Sequence, residues 1–186
     1  MAFVTDAGGD VTSYAEYTDV LQKDQRLLEA NVIKVPAESG FVDVTDFIED
    51  MLTSSTDRIN TKIKASSWWQ GYLNYTGTSV SNPALMPDFD PDNIVSRKQE
   101  FTDLCVFYCL YYYILPLIAD FSTDESAEVQ KIKYYEDKFQ GLFNELLALA
   151  DWYDADGDGI VQDSEKVWTA QTVRRSRRRS TVVRVN

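Results

Sequence analysis

The sequence predicts an all-α protein: a compact helical bundle of four to five helices with a long aromatic loop insertion and an extended C-terminal tail. Apolar residues recur at helical spacing in three long segments, which is the main signal for helices. One β-branched run, residues 181–185, has the composition of a strand but no evident partner strand. With 186 residues, 44% hydrophobic and 13% aromatic, the chain is long enough to bury one sizeable core.

Charge divides the chain into a helical domain over residues 1–165 and a basic tail over residues 166–186. The tail carries seven basic residues and no acidic one. The other 11 basic and all 30 acidic residues lie in residues 1–165 and give that part a net charge of −19. An arginine-rich terminus is typical either of a solvated tail or of a segment that binds an acidic partner.

The first two helices are expected before residue 65. A first helix of mixed polarity is predicted over Tyr14 to Asn31. The second helix has a clearer apolar face, and Asp43 is placed to cap its N-terminus. That face is formed by Val44, Phe47, Ile48, Met51, Leu52, Ile59 and Ile63.

Residues 65–92 interrupt the helical pattern. Because this segment has no helical period and is rich in Gly, Pro, Ser and Asn, it predicts a long loop, a hairpin or a flap. It nevertheless contains Trp68, Trp69 and Tyr72. These rings could fold back onto the core, but Trp and Tyr are also favoured anchors at interfaces. We expect them to contact a neighbouring subunit or partner.

The third helix is predicted from about Ser96 to Ala119. From Phe101 onwards only Thr102 and Asp103 are plainly polar. The apolar stretch is shorter than the roughly 20 residues that a membrane span needs, and it contains four tyrosines and Pro116. We therefore expect a central helix that is buried on nearly all sides rather than a membrane span.

Two smaller signals accompany the third and fourth helices. Cys105 and Cys109 lie four residues apart on one face of the third helix, so we expect reduced core residues. Ser122 and Glu125 form a capping box for a fourth helix, whose apolar face continues to about Leu149.

Residues 154–165 have the sequence DADGDGIVQDSE, which matches a twelve-residue EF-hand calcium loop. Asp154, Asp156 and Asp158 stand at loop positions 1, 3 and 5, where short carboxylates can converge on a hard cation. Gly159 at position 6 permits the sharp turn that the loop requires.

The second half of the loop completes the predicted ligand set. Ile160 would offer its backbone carbonyl, Gln162 could coordinate through water, and Glu165 could bind through both carboxylate oxygens. Lys166 to Val173 can form a short exiting helix. EF-hand sensors use paired loops, so one loop alone predicts a structural calcium ion rather than a switch.

A second acidic run imitates the first half of this loop. Asp88, Asp90 and Asp92 have the right spacing, but Asn93 replaces the glycine and Gln99 stands where the last carboxylate belongs. We expect a turn here, with Asp92 or Asn93 capping the third helix.

Catalytic patterns are absent from the sequence. The chain has no histidine, which excludes Ser/His/Asp and Cys/His nucleophile systems and histidine-ligated metal sites. No phosphate-binding Gly-rich loop occurs either. We expect a protein without enzymatic activity.

Three segments resemble the core helices of a known family in their order and polarity. The segments are Gly40 to Ile63, Phe101 to Asp120 and Glu128 to Asp151, and the family is the head-to-tail connector, or adaptor, proteins of tailed bacteriophages. The resemblance covers half to two thirds of the chain, and the calcium loop is not one of the family's defining features.

This resemblance implies a virion structural protein of the neck. About twelve copies would form a ring beneath the portal protein, residues 1–165 being the adaptor domain and residues 166–186 the docking tail. The ring would also contact the next neck or tail-completion protein, and DNA would pass through its lumen without sequence-specific binding. With no targeting signal at the N-terminus, the protein would be made in the host cytoplasm, away from any membrane.

The tail is predicted to bind its partner in two ways. Its arginines would hold an acidic surface, and its β-branched end would add as a strand to an exposed sheet edge. The residues concerned are Arg174, Arg175, Arg177, Arg178, Arg179, Thr181, Val182, Val183, Arg184 and Val185.

Two other functions remain open at this point. A calcium-binding regulatory or scaffold protein could use the basic tail to bind an acidic partner. A nucleic-acid-binding accessory protein would instead bind DNA through the tail, tightly and with strong salt dependence.

Overall fold

The computed structural model describes residues 3–25, 33, 35, 40–75, 88–119, 121, 127–163 and 166. The chain is mostly helical and carries one small two-stranded sheet. It divides into two compact units. We call Met1–Asn60 with Arg97–Glu145 the helical unit, and Thr61–Ser96 with Leu146–Asn186 the aromatic unit. The predicted boundary between a domain and a tail at residue 165 stays a prediction.

The sheet lies at the N-terminus and corrects the expectation of a purely α-helical fold. Strand β1 (Val4–Thr5) pairs antiparallel with β2 (Val11–Ser13). The Asp6 carboxylate accepts the backbone N–H of Gly8 at 2.7 Å and organises the turn between the strands. Two short β-branched runs on either side of a Gly-Gly pair were the available signal for this hairpin.

Helix α1 spans Tyr17–Lys23, so the predicted start at Tyr14 is wrong. Tyr14 instead continues from β2, is 1% exposed and donates its backbone N–H to the Thr56 hydroxyl at 3.1 Å. The backbone N–H of Glu16 donates to the Asp19 carboxylate at 2.9 Å, which stabilises the first turn. Residues 26–31 of the predicted helix lie outside the described residues.

Helix α2 spans Val44–Lys64 and confirms the second predicted helix. Asp43 caps it as expected, since its carboxylate accepts the backbone N–H of Thr45 at 3.1 Å. The predicted apolar face is buried except for Val44, which is partly exposed, and Ile48 and Leu52 are both 0% exposed.

Helix α3 spans Ser67–Tyr75, inside the segment predicted to be a loop. The Ser66 hydroxyl accepts the backbone N–H of Trp69 at 3.3 Å and so caps the helix. Trp68 and Trp69 are each 3% exposed and Tyr72 is 8% exposed. The expectation that these three side chains contact a neighbouring subunit is therefore wrong: they form the core of the aromatic unit. Residues 76–87 lie outside the described residues.

The central helix is confirmed and runs from Lys98 to Ile118 in three parts. Helix α4 (Lys98–Tyr108) leads into a π-helical segment (Cys109–Ile114) and then into α5 (Leu115–Ile118). At the end of the π segment, the Leu115 backbone N–H donates to the carbonyl of Leu110, five residues earlier. Pro116 has no N–H to donate, and the wider turn before it lets the chain stay helical past the proline.

This helix has a buried core face, but it is not buried on nearly all sides as predicted, since Tyr112 and Leu117 are 50% and 55% exposed. Leu104, Val106, Leu110 and Ile114 are all 0% exposed. Within the described residues, Lys98–Ile118 is the one helix long and apolar enough to cross a membrane, and 56% of its apolar window is buried in the protein. Core helices of soluble proteins satisfy the same length and composition test.

Cys105 and Cys109 are free and fully buried, as predicted. Burial raises the pKa of Cys105 from 9.0 to about 12, because a thiolate there would lose its hydration. The Cys105 sulfur lies 3.5 Å from the Thr56 hydroxyl oxygen. Both thiols belong to the core of the helical unit rather than to a reactive site.

Helix α6 spans Ala127–Leu149 and confirms the fourth predicted helix. Its predicted capping box falls at residues 122–126, outside the described residues. In the helical unit the Phe139 ring packs 5.1 Å from that of Tyr108. At the C-terminal end the backbone N–H of Ala150 donates to the Leu146 carbonyl at 3.1 Å, and Ala150 adopts a left-handed φ of 51°.

Candidate metal centre

The EF-hand-like loop, residues 154–165, begins next to a short β-bridge. Ile94 and Tyr153 form an isolated antiparallel β-bridge. On either side of it, the Val95 N–H donates to the Trp152 carbonyl at 3.1 Å and the Asp154 N–H donates to the Asn93 carbonyl at 2.9 Å. The backbone of the first loop residue is therefore fixed.

Aromatic rings from three segments pack beside this bridge. Trp68 lies 4.5 Å from Trp152 between ring centroids, and Phe89 stacks on Tyr153 at 5.2 Å. Trp152 is 0% exposed, and its indole N–H donates to the Leu146 carbonyl at 2.8 Å. Trp152 and Tyr153, immediately before the loop, thus belong to a packed aromatic core that fixes the position of the first loop residue.

The first three predicted ligands converge. Carboxylate oxygens of Asp154, Asp156 and Asp158 all lie within 4.8 Å of one another. Two oxygens bound to one Ca²⁺ at about 2.4 Å each can be no more than about 4.8 Å apart. The three oxygens satisfy this limit, which is a necessary condition for one ion to contact all three carboxylates.

Asp154 is the anchor of the group. It is 2% exposed, whereas Asp156 and Asp158 are exposed. Its two carboxylate oxygens accept the backbone N–H groups of Gly157 at 2.8 Å and Gly159 at 2.6 Å. Burial by itself would raise the pKa of Asp154, but these hydrogen bonds outweigh it and the pKa is lowered. The Asp154 carboxylate therefore keeps its negative charge, which is the form that binds a cation.

Two glycines allow the tight turn of the loop. Gly157 and Gly159 have φ values of 78° and 86°, in the left-handed region that favours glycine. This geometry directs both N–H groups at Asp154. The EF-hand pattern predicted that role for Gly159 but not for Gly157, although the alternating Asp-Gly pattern contained the signal.

The middle of the loop is held by short-range hydrogen bonds from two exposed carboxylates. Asp156 accepts the Asp158 N–H at 3.2 Å, and Asp158 accepts the Ile160 N–H at 2.9 Å. The Gln162 side-chain amide donates to the other Asp158 oxygen at 2.8 Å. Gln162 thus lies beside the third carboxylate, near enough to take part in a ligand shell.

The remaining predicted site residues lie outside the described part of the chain. Glu165 is one of them, as are residues 167–186 with the predicted exiting helix and the partner-binding tail. Their roles stay predictions.

The second acidic run forms a turn, as predicted, but it caps no long helix. The Asp90 carboxylate accepts the Asp92 N–H at 3.0 Å and begins a 3₁₀ turn over Pro91–Asn93. Helix α4 starts later, after Arg97, so capping by Asp92 or Asn93 is wrong. The Asn93 carbonyl instead holds Asp154, a contact that the sequence did not reveal.

The chemistry of this donor set is that of a hard-cation site. Carboxylate and backbone oxygens suit Ca²⁺, which accepts six to eight oxygen ligands in flexible geometry. Glu165 and the Ile160 carbonyl, together with water, would have to supply the rest of the shell.

Comparisons of the chain with protein-family models, with curated proteins and with solved structures return no match.

Proposed function

We propose that the protein is a non-enzymatic structural protein that binds one calcium ion in residues 154–165. The observation that supports this most is the convergence of Asp154, Asp156 and Asp158 within 4.8 Å. Without a cation, three carboxylates this close repel one another, and an ion between them removes that repulsion. Glu165 would close the site from the far end of the loop.

The ion would act as a structural clip. Asp154 is joined to Asn93 by a backbone hydrogen bond and comes directly after Trp152 and Tyr153, which are both buried. An ion bound to Asp154 would therefore stabilise the bridge and the aromatic core together, because binding to the folded state alone adds to stability.

For the biological role we propose a head–tail connector of a bacteriophage neck. The three segments with the family's pattern cover most of α2, the central helix and α6. In this proposal the chain is a compact helical bundle with an extended tail at residues 166–186. It forms a ring of about twelve copies on the portal, and DNA passes through the lumen.

The tail carries the docking function in this proposal. Arg174–Arg179 would attract an acidic surface, and Thr181–Val185 would pair with a sheet edge of the portal. Backbone pairing would supply an orientation that flexible arginines alone do not provide.

Electron microscopy of the purified protein, with and without a portal protein, tests the role. We expect rings that cap the portal. Deleting residues 174–186 should abolish docking, and Val183→Pro should mainly speed dissociation, because proline removes a backbone donor. Val42→Pro is a matched control, since Val42 is 99% exposed and distant in sequence from the tail.

Two outcomes would contradict the connector proposal. One is normal portal docking by the protein lacking residues 174–186. The other is a monomer that exposes a large apolar surface when calcium is added, as a calcium-regulated protein does.

A further inference from the structure

The helical unit contains an acidic groove beside its N-terminal hairpin. Its volume is about 490 Å³, and strand β2, the start of α1 and the second and third turns of α2 line it. Glu16, Glu49 and Asp50 supply three carboxylates, and Thr12 and Thr53 add hydroxyl groups. Among the described residues, no basic side chain lines the groove.

Within the described part of the chain, no ion pair involves the three carboxylates of this groove. Glu16, Glu49 and Asp50 are all exposed. Within the described residues, the ion pairs involve other carboxylates, such as Asp24 with Lys131 and Asp103 with Lys23. Like charges placed together on one surface favour a cationic partner.

We propose that this acidic groove binds the arginine cluster, residues 174–179, from the tail of a second copy of the chain. The proposal rests on the ring proposed above and names the contact that links neighbouring copies. The tail has seven basic residues and no acidic one, whereas residues 1–165 carry a net charge of −19. The two surfaces are therefore complementary in sign.

The shape and chemistry of the groove suit arginine in particular. A guanidinium group presents a planar fork of donors that pairs with a carboxylate through two hydrogen bonds. Glu49 and Asp50 are adjacent on α2, and Glu16 lies on another element of the same groove. The hydroxyl groups of Thr12 and Thr53 can accept the N–H groups that the carboxylates do not use.

Nucleic acid is a poor alternative occupant because phosphates would meet three carboxylates. Binding of the arginines by a neighbouring copy leaves the last residues of the tail, Thr181–Val185, available for the portal. The tail would then serve two contacts, one within the ring and one outside it.

The test uses a fluorescent peptide of residues 172–186. The receptor is the full chain with Arg174, Arg175, Arg177, Arg178 and Arg179 changed to Gln, so that its own tail does not compete. We expect saturable binding that weakens with salt and falls by roughly tenfold or more in a Glu16→Gln, Glu49→Gln, Asp50→Asn receptor.

A matched control removes the same number of exposed carboxylates elsewhere in the helical unit. Asp57→Asn, Glu136→Gln and Asp137→Asn should leave peptide binding within about twofold, because exposed charges outside the contact are screened. Circular dichroism of both receptors checks that the helices are retained. Equal losses in the two variants would overturn the proposal in favour of general charge attraction, and so would no loss in either.

Self-association of the unmodified chain provides the second measurement. Light scattering should show concentration-dependent assembly that the groove variant weakens. A chain that stays monomeric at every concentration, while the groove variant releases its own tail, would overturn the second-copy assignment. Rings on the portal without peptide binding would contradict this inference alone. Peptide binding without rings would contradict the connector function.

Discussion

The helical unit and the aromatic unit bury their cores in different ways. In the helical unit, long helices present regular apolar faces, and residues such as Leu52 and Leu104 are 0% exposed. In the aromatic unit, rings from three segments meet, including Trp68, Phe89 and Trp152. A core of this second kind depends on the chain segments that bring its rings together. The segment that contains Trp152 leads directly into the EF-hand-like loop, residues 154–165. We therefore expect the two units to respond differently to the same perturbation.

The largest effect should follow from Trp152→Ala. This side chain is 0% exposed and donates a hydrogen bond to Leu146, so its removal should lower the free energy of unfolding by about 3–5 kcal/mol. Urea unfolding monitored by near-ultraviolet circular dichroism would measure the loss.

Leu104→Ala in the helical unit is the matched comparison, with an expected loss of about 2–5 kcal/mol. Tyr134→Ala is the exposed control, since Tyr134 is 54% exposed, and should change stability by no more than about 0.5 kcal/mol. If Trp152→Ala behaved like Tyr134→Ala, the aromatic core would not be the structural element described above.

Calcium should stabilise the aromatic unit, which contains the loop, more than the helical unit. At a free concentration of 100 times Kd, it should add about 2.7 kcal/mol to stability, and a chelator should remove that gain. The near-ultraviolet circular dichroism of the aromatic rings should respond at a lower calcium concentration than the far-ultraviolet circular dichroism of the helices. Asp156→Asn should abolish most of the gain, whereas Asp137→Asn, an exposed control on α6, should keep it. A gain of the same size in both variants would place the ion elsewhere.

The helical unit should lose stability at high pH, whereas Asp154 gives the aromatic unit a contribution that is lost at low pH. Burial raises the pKa of Cys105 from 9.0 to about 12 and that of Tyr135 from 10.0 to about 12. Their contributions are present below about pH 9 and are lost as the pH rises towards 12. Asp154 has a pKa below its ordinary value of 3.8, so its contribution is present above that pH and is lost as the pH falls.

Variants without these groups test the assignment. Tyr135→Phe should flatten the alkaline part of the stability profile and leave the acid part unchanged, and Asp154→Asn should do the reverse. Burial also raises the pKa of Tyr153, so the aromatic unit should lose some stability at high pH as well. Urea titration across the pH range would measure the unfolding free energy of both variants. If both variants altered the same part of the pH profile, acid or alkaline, the assignment of the two parts to different groups would be refuted.

The smallest effect is expected for the surface ion pair of Lys23 and Asp103. Their charged atoms are 3.0 Å apart, but both side chains are partly exposed. Asp103→Asn should therefore cost no more than about 1 kcal/mol, and less at high salt. Thermal melting at two salt concentrations would measure it. A loss comparable to that of Trp152→Ala would mean that charge pairing, rather than burial, dominates the helical unit.

The sequence predicted the helical unit better than the aromatic unit for a physical reason. Helical periodicity marks α2, the central helix and α6 because each buries one continuous face over many turns. Asp43 could be identified as a cap because capping is a local interaction. The hairpin at Val4–Ser13 was missed because its strands have only two and three residues.

In the aromatic unit the decisive contacts join distant parts of the chain. Trp68, Trp69, Tyr72 and Leu73 follow helical spacing, but the pattern lasts little more than one turn and includes Gly71, which made a loop the expected structure. The site was predictable at the aspartates, whose spacing is local. The carbonyl of Asn93 was not predictable, because a backbone contact 61 residues from Asp154 leaves no mark in the sequence pattern.

Calorimetric titration of the full chain with calcium tests the central claim most directly. We predict one calcium ion per chain, with binding greatly weakened by Glu165→Gln and by Asp158→Asn and retained by Asp137→Asn. If calcium produces no heat and no change in melting temperature, residues 154–165 form an acidic turn and do not bind a structural calcium ion.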